Sequence, residues 1–154
     1  LNDIINREIN FLKVDLDFKN LVKKDIHLSD EKLLLKIVPA ELSQIIQNLI
    51  QNAMDAMFDQ TEKVIKITTG SVNKMAFFNI TDNGPGVPEN IVSIIFEPFF
   101  TTKPINPTEI KGSPIGTGIG LRFCKNTIES YGGSISVDKC PEGGASFTIK
   151  IPLA

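Results

Sequence analysis

The sequence is short of the residues that hold metals and close disulfides. It has one histidine, His27, and two cysteines, Cys124 and Cys140. The cysteines form no CxxC pair and no cluster with histidine, which excludes the common zinc patterns and reads as reduced thiols. Neither sign of charge dominates. Sixteen Lys and Arg stand against 18 Asp and Glu, a net charge of −2, and no basic block stands out. That leaves no electrostatic footprint for nucleic acid. No apolar run reaches the roughly 20 residues of a membrane helix, and no signal-peptide pattern is present. There is no internal repeat and no low-complexity tract. The chain starts at Leu1 rather than at methionine. A fragment of a longer protein is therefore expected, and the missing membrane segment says little about that parent.

What is present is ordinary for a globular domain. The 154 residues suffice for one domain with a sizeable core. The chain is organised around residues 44–57, QIIQNLIQNAMDAM. Ile45, Ile46, Leu49, Ile50, Ala53, Met54 and Met57 recur at three- and four-residue steps, the helical period. Pro39 suits the first turn of such a helix. Asn48, Asn52 and Asp55 share one face beside the apolar stripe. Asparagine inside a helix is mildly unfavourable, because it competes for backbone hydrogen bonds; by itself the pattern fits a solvated face as well as a site.

Coarse structure follows from the same rules. Residues 1–12 carry Leu1, Ile4, Ile5, Ile9 and Leu12 at helical spacing. The stretch 18–24 reads as a short helix and 33–38 as a buried strand. Residues 63–72 and 74–81 read as two strands joined near Asn73, the second apolar enough for a central position. Residues 91–96 read as a short helix and 104–113 as a loop. Residues 119–130 return to helical period and stop at Gly132 and Gly133. Residues 134–137 and 145–151 form a last strand pair. The expected class is α+β: a mixed, mostly antiparallel sheet with its helices on one face.

The segments NLIQNAMDAM, DNGPGVP, FEPFFTTK, GTGIGL and GGASFTIKIP lie in that order within residues 41–152. Together they resemble the successive nucleotide-binding boxes of the catalytic domain of sensor histidine kinases. That domain belongs to the wider Bergerat-fold (GHKL) ATPases. DNG alone fits a turn, and glycines at alternate positions are common in flexible loops; the ordered set is specific.

The resemblance implies a site for ATP and Mg²⁺. Asp82, at the end of an apolar strand, would accept from the adenine amino group, a charge-assisted bond. Gly84 and Gly86 allow close backbone approach. Asn52 matches the family's metal-binding asparagine, and Asn48 lies one turn earlier, close enough to act directly or through water. Oxygen ligands suit Mg²⁺. Asp55 would lie near the nucleotide. Gly116, Thr117, Gly118, Gly120 and Leu121 would cradle phosphate at a helix N-terminus. Thr101 and Lys103 would serve the γ-phosphate, with Asn48, Asn52 and Lys103 as the catalytic set. Phe96, Phe99 and Phe100 are expected to pack a lid, about 84–118, onto the body.

Asparagine at 48, where ATP-hydrolysing relatives usually have glutamate, is no general base. A poor ATPase built for transfer to a protein nucleophile is expected. The partners implied are a histidine-bearing dimerisation domain, then a response regulator, with a homodimeric parent. The domain itself would be cytoplasmic and make no membrane contact, although the parent can be membrane-anchored. Residues 1–12 would end a helix from the dimerisation domain, and 13–154 would be the catalytic domain. His27 lacks the family's acceptor pattern, since Leu28 follows it rather than an acid. Ala145 stands where the family often has threonine. Ser146 or water is the expected substitute, with lower ATP affinity as the other outcome. The stretch 104–115 makes a long lid, expected to be mobile without nucleotide. Two other functions compete. An ATP-dependent switch, or a closer serine-kinase variant, is one; Asn48 and the kinase-like FEPFFTTK argue against the switch. A non-catalytic scaffold is the other, and the intact Asn52, Asp82, Lys103 and glycines argue against it.

Overall fold

The computed structural model describes residues 1–13, 16–104, 114–141 and 143–154. The elements are α1 (Asn2–Leu12), α2 (Leu16–Leu21), β1 (Val22–His27), α3 (Pro39–Ala56), β2 (Lys63–Val72), β3 (Met75–Asp82), α4 (Gly120–Ser130), β4 (Ser134–Lys139) and β5 (Ala145–Pro152). The strands form one sheet in the order β1-β2-β3-β5-β4. Only the β1–β2 pair is parallel. The class read from the sequence, α+β with a mixed, mostly antiparallel sheet, is the one observed.

The central strand β3 is apolar on paper but alternates in space. Ala76, Phe78, Ile80 and Asp82 are buried on one face, while Phe77, Asn79 and Thr81 are half-buried on the other. It is joined to β2 by Asn73 and Lys74, both at positive φ, +54° and +63°. That is the pair of left-handed residues a tight hairpin of matching twist needs. Helix α3 starts with Pro39 in its first turn. Leu42, Ile45, Ile46, Leu49 and Ile50 are each at most 1% exposed. Each such side chain stabilises the fold by about 1.5–3 kcal/mol. Helix α1 packs on α3 through Ile5 and Ile9, and α4 covers the rest of the face through Cys124 and Ile128. The opposite face of the sheet carries a hydroxyl and amide network, in which Asn79 Nδ2 donates to Ser146 Oγ (2.7 Å) and Thr148 Oγ1 (2.8 Å).

Three segments differ from their sequence reading. Residues 22–24 leave the helix expected over 18–24 and begin β1, because backbone pairing with β2 from Val22↔Lys63 onward satisfies them. Residues 33–38 form no strand. Leu33 is buried, but Leu34 and Val38 are exposed, and only Leu35 bridges to Leu153 before Pro39 opens α3. Residues 91–96, between Pro88 and Pro98, form linked turns rather than a helix. Ile94 N–H and Ile95 N–H both donate to Ile91 O, and so short a piece does not sustain a nucleated helix. The expected mobility of the long lid falls mainly on 105–113, outside the described residues.

Candidate functional site

The end of β3, the C-terminal half of α3 and the start of α4 enclose a cavity of about 660 Å³. Its apolar end is lined by Val87, Ile91, Ile95, Phe100, Leu121 and Phe147. Asp82 lies in this wall, 4% exposed. Strand alternation puts it on the core face, in register with Ile65. Its Oδ1 accepts from Gly84 N–H at 2.8 Å and from Ala145 N–H at 3.4 Å. Burial raises its pKa above the ordinary carboxylate value, and those two N–H groups pull it back. Behind it, Gly144 has φ +88°, and a Cβ there would stand 1.8 Å from Asp82 O. Only glycine lets β5 approach this closely.

The opposite end of the cavity is polar. Asn48, Asn52 and Asp55 line it from one face of α3, as their spacing requires. Lys103 Nζ donates to Asn52 Oδ1 at 3.0 Å and pairs with Asp55 Oδ2 at 2.5 Å. Asp55 Oδ1 accepts from Gln51 Nε2 at 2.8 Å. Asn48 Nδ2 donates to Gly120 O at 3.5 Å and to Cys124 Sγ at 3.8 Å. Burial outweighs the bond from Asn48 and pushes the Cys124 thiol up to about 12, so it stays protonated. Asn48 thereby joins α3 to the first turn of α4, whose unpaired N–H groups and positive dipole end favour an anion.

The loop before α4 is tied down. Phe99 N–H donates to Gly118 O at 3.0 Å, and Gly116 N–H donates to Pro104 O at 3.0 Å. These bonds form a closed neck from which 105–113 departs. Gly118 has φ +68°, and a Cβ there would lie 2.4 Å from the Phe99 carbonyl carbon. Thr101 Oγ1 accepts Lys103 N–H at 3.1 Å, and Thr117 Oγ1 accepts Ile119 N–H at 3.4 Å. On the far side of Asn48 and Gly120 a second groove, of about 540 Å³, runs along Ala40, Glu41, Gln44 and Phe123.

The cavity thus brings together Asn48, Asn52, Asp55, Asp82, Gly86, Thr101, Lys103, Gly116, Thr117, Gly118, Gly120 and Leu121. Gly84 lies behind Asp82 rather than in the wall, and only Gly86 of the pair has positive φ, +78°. Ser146 is no substitute for threonine at 145. The alternation of β5 turns it to the opposite sheet face, where Thr81 Oγ1 donates to it at 3.0 Å. Phe96 is buried and Phe100 packs on the core, but Phe99 is 77% exposed with φ +64°, so it clips the loop by its backbone, not its ring. His27 lies exposed on edge strand β1 beside Asp25 (2.6 Å) and is not in the cavity wall. Ala145 lies in the wall, as its place in the last box implies; Phe147, which sequence reading did not place there, was recoverable from strand alternation. Ile91 and Ile95 were not, because they come from irregular chain.

The family model of histidine kinase-, DNA gyrase B- and HSP90-like ATPases matches residues 37–154. The sensor protein TdiS of Thauera aromatica is 30% identical over 99% of this chain, which spans 27% of that relative's length. The catalytic domain of histidine kinase ThkA superposes with a TM-score of 0.81 at 30% identity, over 99% of this chain and 94% of that one. ThkA in complex with the response regulator protein TrrA matches at 29% identity and TM-score 0.77, over 100% of this chain and 40% of that one.

Proposed function

Because this chain belongs to the histidine kinase-, DNA gyrase B- and HSP90-like ATPase family, and within it is a catalytic domain of the sensor histidine kinase type, we propose that its cavity binds Mg·ATP and presents the γ-phosphoryl group to a histidine on a separate domain. One observation carries this reading. A single cavity has a buried carboxylate at its apolar end and a cation between two α3 oxygens at its polar end, with a helix N-terminus alongside.

Each part has a chemical role. Asp82 Oδ2 is offered to the adenine amino group, since both backbone donors go to Oδ1. Leu121, Phe147 and Ile95 exclude water around the base. The 116–120 loop and the first turn of α4 receive phosphate oxygens. Lys103 and the hydroxyls of Thr101 and Thr117 serve the terminal phosphates. The oxygens of Asn52 and Asp55 already hold an ammonium, so the donor set suits a hard cation. Asn52, with Asn48 beside it, would hold Mg²⁺. The metal supplies charge neutralisation on the phosphates; positioning and neutralisation are most of what phosphoryl transfer asks.

No carboxylate occupies position 48, so no residue there takes a proton from water. That supports transfer over hydrolysis and argues against the ATP-driven switch. The groove beyond Asn48 gives the acceptor imidazole a route to the phosphate end of the cavity. In the transfer, the lone pair of the acceptor's unprotonated ring nitrogen forms the new bond to the γ-phosphorus as the bond to the bridging oxygen of ADP breaks, and the proton on the other ring nitrogen is lost to solvent. On this reading α1 ends a helix arriving from the acceptor domain, the parent is a dimer, and an aspartate of a response regulator takes the phosphoryl group next.

The test is calorimetric titration of Mg·ATP into the wild type, Asp82→Asn and Asn52→Ala, followed by labelled transfer to a supplied histidine-bearing helical domain. Wild-type binding that both variants largely lose is expected, with acid-labile label on the supplied domain. Absence of wild-type binding at millimolar Mg·ATP overturns the reading.

A further inference from the structure

The chain places a cation where the reading above places a metal. Lys103 Nζ lies against Asn52 Oδ1 at 3.0 Å and Asp55 Oδ2 at 2.5 Å. The contact is sheltered: the side chain of Asp55 is 13% exposed and that of Lys103 27%. It is also built from both sides. Gln51 holds the other Asp55 oxygen at 2.8 Å. Lys103 is delivered from the neck, where Thr101 Oγ1 takes its N–H and Pro104 O takes that of Gly116. A carboxylate this far from water is costly unless compensated, and here the lysine compensates it.

We propose that Asp55 is a positioning residue that latches Lys103 to α3 before nucleotide arrives, and that a divalent cation arriving with ATP displaces the ammonium and frees it for the phosphates. The proposal rests on the Mg·ATP reading of the cavity. The physical ground is competition for one oxygen. A metal on Asn52 Oδ1 and an ammonium at 3.0 Å from the same atom are like charges a few ångströms apart, and they repel strongly in a partly buried site. The ammonium must leave, and its backbone anchor keeps it near the polar end of the cavity. Metal entry and lysine release are then one exchange. Metal-free ATP gains no such help. It meets Asp55 still paired with the lysine it needs.

Two measurements test this. The first uses no nucleotide. The acylation rate of Lys103 by an amine-reactive ester is followed by mass spectrometry in the wild type and in Asp55→Asn. The variant is expected to label at least about fivefold faster. An unchanged rate overturns the latch. The second is ATP binding in EDTA to the wild type, Asp55→Asn, Lys103→Gln and the double variant. Asp55→Asn is expected to bind metal-free ATP about tenfold tighter, and the gain is expected to vanish in the Lys103→Gln background. A gain that persists there shows that Asp55 only repels phosphate, and overturns the proposal. Failure of the wild type to bind Mg·ATP would remove the nucleotide reading instead, while the labelling result still decides the latch.

Discussion

At Asp82, the proposed role in binding and the stability of the fold pull in opposite directions. Burial raises its pKa, so the folded chain holds this proton more tightly than the unfolded chain does. The sign follows: its contribution to stability is complete below the ordinary carboxylate range and is lost as pH rises through the raised value. At neutral pH the charged form is the one that costs. Asp82→Asn keeps an acceptor for the N–H groups of Gly84 and Ala145. It is expected to be at least as stable as the wild type at neutral pH, by up to about 1 kcal/mol, while losing ATP binding. The advantage should shrink at mildly acidic pH. Urea midpoints at the two pH values check this, and a variant clearly less stable at neutral pH contradicts it. Asp82, Asn52 and Asn48 were legible as one set only through the ordered boxes, because an acid closing an apolar strand fits a turn and amides on one helical face fit a solvated surface equally well. The partner of Lys103 was not legible. Its contact with Asp55 spans 48 positions of chain and depends on where the loop neck sits.

At the scale of elements, α1 is fixed to α3 by more than apolar contact. Glu8 on α1 is 5% exposed. Gln47 Nε2 donates to its Oε2 at 2.7 Å, and Arg7 bridges from its Oε1 (3.3 Å) to Ser43 Oγ (2.6 Å). Burial pushes its pKa up, but the bonds from Gln47, Ser43 and Arg7 outweigh it, and the net shift is downward. The stabilisation is therefore present above the ordinary glutamate range and lost as pH falls through the depressed value. Glu8→Ala is expected to cost about 1–3 kcal/mol, read from urea unfolding at neutral pH; an unchanged midpoint refutes it. Gln47 precedes Asn48 on α3, so this tie sets where the site's own helix begins to face the cavity. The long periodic helices α1, α3 and α4 were readable because their period is carried by many residues. Segments 18–24 and 33–38 were not. Their state is decided by backbone partners far along the chain: β1 has β2 along its length, whereas 33–38 has scattered partners, with Leu1 N donating to Leu33 O, Ala154 N–H to Leu34 O, and Leu35 bridging Leu153.

On the proposed reading, the whole molecule keeps its phosphoryl chemistry away from its one histidine. Helices α3 and α4 pack on the core face of the sheet, the cavity opens between them, and the single histidine lies on the edge strand β1. The chain incubated alone with labelled Mg·ATP is therefore expected to hydrolyse it slowly and to place no acid-labile phosphate on His27. Label on His27, or fast turnover, contradicts the separation. The relation of sheet, central strand and box order was readable because those boxes sit at strand ends and helix starts, where the fold must place them.

The neck made by Pro104–Gly116 and Phe99–Gly118 has one more consequence. It joins the chain directly on either side of residues 105–113. Adding or removing residues between two points already joined costs only the slow logarithm of loop closure, and it leaves Lys103, Gly116, Gly118 and Gly120 where they are. Replacing 105–113 by a short Gly-Ser linker is expected to change Mg·ATP affinity less than about threefold, a shift under 1 kcal/mol, measured by the same titration. On that expectation the chain can carry inserted sequence, or a reporter, between Pro104 and Gly116 without retuning nucleotide binding.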